Sequence, residues 1–414
     1  MAIEDGFLLT KDDRMRIRRN FREALIDGMR GHKSSLKCLP SFLPRPSGRE
    51  EGEWLALDFG GSNLRVMVVR LIGGKAEIVR MKKVSLRRAG AYDYTDANTT
   101  ATELFDCIAQ LLLTVAPEIG EMSLGHTFSF PARQISVNQA RLITWTKEFA
   151  VQDVVGEEVN GLLYDALVRC GAGRIKPIAI VNDTVATLLA GAYAIPSVTI
   201  GSICGTGHNT AAVLPDGMVY NLESGNFDGL PVTEYDWELD LASLAPNTQR
   251  LEKMSAGRYL GEIVTRAGID RLSVLAEGEV FTGEELGMIL SDSGESRRTK
   301  LLVHRKCGAD ITQADCAFLR RLTRTVVARS AQMVAATYLG ILDVIDPEHN
   351  DHHTIAVDGS LFGKMPTYAK EMARALAEGL DGERGQADLI WAGDGSGIGA
   401  AVAASLAAKR DGRR

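Results

Sequence analysis

Apolar residues along this chain keep two rhythms, and the switches between them mark out the elements. Ile17, Phe21, Leu25 and Met29 stand four apart among charges, which predicts an amphipathic helix over 11–31. Pro40, Pro44 and Pro46 with Gly48 and Gly52 then mark a linker. Residues 54–58 and 64–71 are apolar runs parted by a short turn, a strand–turn–strand. Residues 103–115 place apolar side chains at 104, 105, 108, 111, 112 and 115, which is helical, and 123–130 reads as a buried strand. The first pattern then returns: apolar runs at 200–204 and 210–214 flank a turn at 205–209. Residues 319–342 predict a long helix rich in Ala and Val. The chain closes on a strand at 389–392, a glycine turn at 393–397 and a helix over about 398–409. A hairpin with a glycine turn in each half predicts two related α/β domains facing a cleft.

One stretch tests that reading. Residues 184–215 carry no Asp, Glu, Lys or Arg and are long enough to span a bilayer, but Pro196, Gly201, Gly205 and Gly207 interrupt them. They read as a buried helix followed by a hairpin.

Length and composition sharpen the picture. A chain of 414 residues that is 45% hydrophobic can bury two full cores. Its net charge of −6, from 47 basic and 53 acidic residues, argues against non-specific nucleic-acid binding, so any affinity for phosphate must be local. Six cysteines without a C-x-x-C pair read as reduced thiols of an intracellular protein. The acidic start, followed by no apolar run, shows no secretory signal. The expectation is a soluble cytoplasmic protein with no membrane partner.

The sharpest chemistry lies at Asn182–Asp183, where an apolar strand gives way to a helix. A carboxylate there can take a proton from a bound hydroxyl. The plainer reading is a helix N-cap, at which Asn and Asp excel, and both hold if Asn182 caps while Asp183 faces substrate. Three glycine turns, Asp58-Phe-Gly60-Gly61-Ser62-Asn63, Gly205-Thr206-Gly207-His-Asn209 and Asp394-Gly395-Ser396-Gly397, can offer backbone N–H groups to anions. Asp58 could hold Mg²⁺ through water. Each turn alone reads as an ordinary hairpin or packing feature. Together with a base they suggest phosphoryl transfer from a nucleotide to an alcohol.

Other residues carry less on their own. The run from Gly393 to Ala400 partly matches a dinucleotide fingerprint, without the later strand and acidic residue that such a unit needs. Lys147 could meet a phosphate or a substrate hydroxyl, and Glu223 and Glu252 could take bonds from vicinal hydroxyls, although most such side chains are solvated. His349, His352 and His353 read as a surface loop rather than a metal site.

Taken in order along nearly the whole chain, these stretches resemble the hexokinase family of the actin-like ATPase superfamily. Leu36-Lys-Cys-Leu-Pro-Ser-Phe-Leu is similar to the family's entry segment, and Leu55-Ala-Leu-Asp-Phe-Gly-Gly-Ser-Asn-Leu-Arg-Val to its first phosphate loop, with Ser62 where threonine is usual. Phe128-Ser-Phe-Pro and Thr144-Trp-Thr-Lys-Glu-Phe resemble its sugar-binding segments. Asn182-Asp-Thr-Val resembles the catalytic-base strand, and Gly205-Thr-Gly-His-Asn the second phosphate loop. Asn221-Leu-Glu-Ser-Gly, Leu251–Glu262 and Val357-Asp-Gly-Ser-Leu continue the series.

The resemblance implies an α/β, two-domain actin-like (ribonuclease H-like) fold with a cleft between a small domain, 54–181, and a large one, 1–53 with 182–414, the last helix packing on the small domain. It implies a hexose held by Ser129, Thr146, Lys147, Asn182, Asp183, Asn209, Glu223 and Glu252, with Asp183 as base and Lys147 assisting. Phosphates would lie on Asp58, Gly60, Gly61, Ser62, Asn63 and Arg65 and on Gly205, Thr206 and Gly207. The adenosine side would lie near Gly359, Ser360, Gly395 and Ser396, with Thr282 a further contact. ATP, Mg²⁺ and a hexose, glucose before mannose or fructose, are the implied ligands, the 6-hydroxyl the acceptor, and a monomer or homodimer the implied state. Ser224 and Asn226 depart from a usual tryptophan and small residue, His126 from a usual aromatic, and Ile398 from a frequent basic residue. The rival readings are a non-catalytic hexose sensor on the same fold and a kinase for another polyol or an amino sugar.

Overall fold

The structure is a computed structural model that describes residues 2–61, 63–116, 120–146, 149–381, 385–410 and 412. The chain packs as two compact units, the first comprising Met1–Cys38, Ser202–Thr210 and Leu222–Gly393, the second Leu39–Gly201, Ala211–Asn221 and Asp394–Arg414. The range 54–181 lies wholly in the second unit, together with the last helix of the chain.

The second unit is built on a five-stranded sheet in the order Ile175–Val181, Met122–Phe128, Gly52–Phe59, Asn63–Ile72, Lys75–Ser85. Gly52–Phe59 runs antiparallel to Asn63–Ile72 and parallel to Met122–Phe128, which is parallel in turn to Ile175–Val181. This is the expected ribonuclease H-like order. The central strand is buried without a break from Trp54 to Phe59, as a strand covered on both faces must be. Helices Ala101–Leu113 and Val159–Arg169 pack together beside it, each bringing its apolar stripe to the core.

The helix Gly395–Arg410 packs against the same sheet and against the helix Asp183–Ala194. Small residues make this possible. A Cβ on Gly125 would lie 1.8 Å from the Ala400 carbonyl oxygen, and one on Gly399 2.0 Å from that of Ala186. Backbone therefore meets backbone, and the helices around residues 183–194 and 395–410 belong with the sheet.

His126 sits within this core, fully buried, its ring parallel to Phe59 at a centroid distance of 6.5 Å. It thus fills an aromatic's place. Its Nδ1 lies 3.0 Å from Asn160 Oδ1, and burial pulls its pKa down to about 4. The unfolded chain takes up this proton below about pH 6.5, whereas the folded one resists it. Stability should therefore fall as pH drops from about 6.5 to 4, by up to about 3 kcal/mol for this residue. Urea unfolding at pH 7 and pH 5 checks this, and a His126→Phe variant should show a smaller difference between the two.

In the first unit the expected N-terminal helix forms over Lys11–Met29, capped by Thr10 and Asp13, and buries Ile17, Phe21 and Leu25. It packs on the helix Gln313–Ile345. By length and composition that long helix could cross a membrane, yet 83% of its most apolar window is buried inside the fold. Arg329 on it forms a buried two-pronged pair with Asp236, 2.7 Å to each oxygen. Strands His352–Asp358 and Gln386–Trp391 run parallel.

Residues 184–215 form the expected helix and hairpin, Asp183–Ala194 followed by Val198–Cys204 and His208–Val213. Met218–Asn221 joins antiparallel to His208–Val213. A hairpin, a third antiparallel strand and then two further strands thus succeed one another twice along the chain, consistent with duplication.

The histidine cluster departs from the expected surface loop. His349 and His353 are buried, their Nε2 atoms 2.8 Å from Asp343 Oδ1 and 3.3 Å from Asp346 Oδ2, and His352 opens a strand, paired with Asp388. Each imidazole has its own carboxylate, which is what allows two of them to be buried. No group of three or more His, Cys, Asp or Glu suited to a metal ion occurs among the described residues.

Candidate active site

The buried strand Gly52–Phe59 ends on Asp58 and Phe59, and Gly60 and Gly61 begin the first glycine turn. Asp58 is almost fully buried, and its Oδ2 accepts from Arg65 Nε at 2.8 Å and from Ser396 Oγ at 3.1 Å. Arg65 also donates to Asp394 and to Ser396 Oγ, the latter at 3.0 Å. Burial alone would lower the Arg65 pKa, but Asp58 and Asp394 outweigh it and raise it. Thr127 Oγ1 donates to the Ser396 carbonyl at 2.7 Å, tying the helix start to the sheet. Asp58, Arg65 and Ser396 are therefore one cluster. The resemblance put residues 394–397 beside adenosine; here the Ser396 hydroxyl is committed to the first loop and Gly395 is buried.

Gly60 is required by close approach, because a Cβ there would lie 2.7 Å from Ser129 Oγ. Around Gly61 a Cβ would meet nothing described within 4 Å. Gly61→Ala should thus leave the melting temperature within about a degree, while raising the KM for ATP severalfold if this turn cradles phosphate. An unchanged KM would remove Gly61 from the nucleotide site. Ser62 lies outside the described residues, and Asn63 opens the next strand.

Asn182 and Asp183 divide their labour. Asn182 Oδ1 accepts from Val185 N at 3.0 Å as the N-cap of Asp183–Ala194, and Asp183 Oδ1 accepts from the adjacent Thr184 N at 2.9 Å. The cap is satisfied by the asparagine, so the half-buried Asp183 is not needed for it.

The segments around residues 128–131 and 144–149 meet through aromatic rings. Phe130 packs edge-on to Trp145 at 4.8 Å, Trp145 stacks on Phe149 at 5.2 Å, and Phe59 reaches Phe130 at 5.1 Å. Trp145 Nε1 donates to the Val151 carbonyl at 3.0 Å. Ser129 and the exposed Thr146 ride on this cluster. Lys147 lies outside the described residues.

The first unit gathers the other candidates. Gly207 abuts Glu252, whose Oε2 would be 2.9 Å from a Cβ there and accepts from His208 N at 2.9 Å. Asn209 Oδ1 accepts from Thr210 N at 2.7 Å and from Ser224 N at 3.1 Å. Glu223 and Gln249 both adopt left-handed backbone, φ 53° and 51°, just ahead of the turn holding Ser224 and the helix carrying Glu252. Each such residue costs about 1 kcal/mol, a strain that clusters at functional sites.

The second glycine turn is pinned by Gly257 N to the Gly205 carbonyl, 2.8 Å, and Arg258 N to the Thr206 carbonyl, 3.3 Å. Gly359, at φ 108°, lies against it, since a Cβ would be 2.5 Å from the Cys204 carbonyl. Only glycine fits there. It carries the exposed Ser360 beside Gly205. Thr282 caps the helix Gly283–Ser291 through Glu285 N, and Gly283 in turn abuts Gly257. Gly205, Gly359, Ser360 and Thr282 thus border one surface.

Sequence reasoning missed Asp394 as a partner of Arg65 and His208 as a neighbour of Glu252. The first stood in a recognised turn, and the second was a histidine in an otherwise uncharged buried run; neither signal named its distant partner.

A backbone-lined anion turn beside a charged cluster, a second such turn and a carboxylate beside a satisfied cap suit transfer of a phosphoryl group to a hydroxyl. Residues 1–193 match the first domain of the family described as hexokinase and residues 199–406 the second. Hexokinase-1 of Schizosaccharomyces pombe is 32% identical over 98% of this chain and 90% of its own length. Hexokinase-3 of Homo sapiens is 32% identical over 97% of this chain, which spans 46% of that relative's length. The solved hexokinase of Schistosoma mansoni, complexed with glucose, superimposes with a TM-score of 0.81 at 29% identity and 97% coverage of each chain. With both halves matched in order and the relatives aligned across nearly all of it, this chain belongs to the hexokinase family.

Proposed function

We propose that this chain transfers the γ-phosphoryl group of ATP to the 6-hydroxyl of a hexose, glucose foremost. The observation that carries the reading is Asp183, a carboxylate at a helix start whose capping duty Asn182 has taken over. Glu223, Glu252, Asn182 and Asn209 orient the sugar through its hydroxyls. Asp183 accepts the 6-hydroxyl proton as that oxygen attacks phosphorus in line with the leaving ADP. The N–H groups of the two glycine turns and the Lys147 ammonium offset charge on the transferring group.

Magnesium, when bound with the nucleotide, would neutralise part of the phosphate charge. Asp58 suits such an ion through water only, since Arg65 and Ser396 already occupy its Oδ2 and no multidentate carboxylate group accompanies it among the described residues. Six free thiols suit a reducing compartment, so the proposal extends to a cytoplasmic enzyme at the entry to glycolysis, working as a monomer or homodimer.

The test is ADP release from Mg-ATP with glucose, mannose, fructose, glucosamine, glycerol or no acceptor. Turnover that requires a hexose supports the proposal and ranks the substrates. Tight glucose binding without turnover would favour the sensor reading, and turnover with glycerol or glucosamine alone a different acceptor.

A further inference from the structure

His208 stands in the second glycine turn, directly after Gly207, and is 3% exposed. Its Nδ1 lies 3.1 Å from the Ile203 carbonyl oxygen, which can only accept, so Nδ1 carries the hydrogen and Nε2 is the bare nitrogen of a neutral ring. Burial supports this by holding its pKa down to about 4. Nε2 lies 3.4 Å from the hydroxyl of Ser224, itself fully buried. The backbone of His208 continues the pattern. Its N–H donates to Glu252 Oε2, and its carbonyl backs Gly225, where a Cβ would come within 3.0 Å. One residue therefore touches the Glu252 carboxylate directly and the turn after Glu223 from two sides.

That turn begins from left-handed Glu223, a conformation that persists only where its surroundings hold it. The glycine turn is held differently, by N–H groups of Gly257 and Arg258 that owe nothing to the imidazole. We propose that His208 is a positioning residue that fixes the turn Glu223–Asn226 relative to Glu252, and so governs affinity for the hexose while leaving affinity for the nucleotide unchanged. The proposal rests on the hexose-kinase reading and adds to it a residue outside the sugar's own contacts.

His208→Phe keeps the ring's shape and removes both nitrogens, and Ser224→Ala removes the hydroxyl alone. Calorimetric titration of the native protein, both variants and the double variant with glucose, and separately with adenylyl imidodiphosphate, tests the idea. Losing a hydrogen bond of about 1 kcal/mol weakens binding roughly fivefold, and orphaning Ser224 adds to it. The expected result is glucose affinity about tenfold weaker in His208→Phe, several times weaker in Ser224→Ala, and no weaker in the double variant than in His208→Phe, with nucleotide affinity nearly unchanged. Strictly additive losses, native glucose affinity in both single variants, or equal weakening toward glucose and nucleotide would overturn it. Should His208→Phe fail to fold, Ser224→Ala alone carries the same comparison. A native protein that binds no glucose at all would instead defeat the functional reading itself.

Discussion

Asp183→Ala is expected to lower hexose-dependent turnover by about 10² to 10⁴-fold, the range a positioned general base contributes. Glucose should still bind. The variant removes a carboxylate that accepts one bond from its own neighbour Thr184, while the helix keeps its cap through Asn182 and Val185. The fold therefore has little reason to change, and the loss should appear in kcat rather than in the KM for hexose. Steady-state ADP release at saturating glucose, beside a glucose titration, separates the two. Turnover within tenfold of native would overturn the assignment, since no hydroxyl base remains at that position. Asp183→Asn should be nearly as impaired, because the amide reproduces the bond to Thr184 but cannot take a proton at neutral pH.

Gly125→Ala carries the largest expected effect on stability. The added methyl would stand 1.8 Å from the Ala400 carbonyl oxygen and 2.6 Å from its carbon, in a contact between a strand and a helix. Neither side is a flexible chain end that could swing aside. Overpacking of cores costs about 1 to 3 kcal/mol where side chains can shift, and the upper end or more applies when both partners are backbone. The expected outcome is a melting temperature lower by ten degrees or more, or a failure to accumulate as folded protein. Gly61→Ala serves as the control, because its methyl points into open space. A stable Gly125→Ala variant would mean that the last helix can move off the sheet without penalty.

Much of the fold could be read from hydrophobic rhythm because the decisive strands are buried on both faces. The runs at 54–58, 64–71 and 200–204 are too apolar to be anything but core, and the helix at 11–31 shows one clean stripe. The cap at Asn182 was legible for a related reason, since polar residues seldom interrupt such a run without a task. What the sequence could not express was pairing at long range. Arg65 binds Asp58, seven residues away, and Asp394, 329 residues away, and no local pattern distinguishes those bonds from solvation. Histidines 349 and 353 looked exposed because they stand in a polar stretch; Asp343 and Asp346 satisfy them and permit burial. The affiliation of residues 395–410 lay hidden in their glycines and alanines, whose value is in how closely another backbone can approach.

The hydroxyl of Ser396 and the carboxylate of Asp58 meet although 338 residues separate them. On a ribosome, the strand bearing Asp58 emerges long before the helix that completes its surroundings. Until that helix is synthesised, the nascent sheet presents Gly125 and its neighbours uncovered, and Asp58 lacks the serine that helps orient it. Proteolytic nicking or premature termination ahead of residue 395 should accordingly yield fragments whose sheet lacks its covering helix and whose Asp58 lacks the Ser396 hydroxyl.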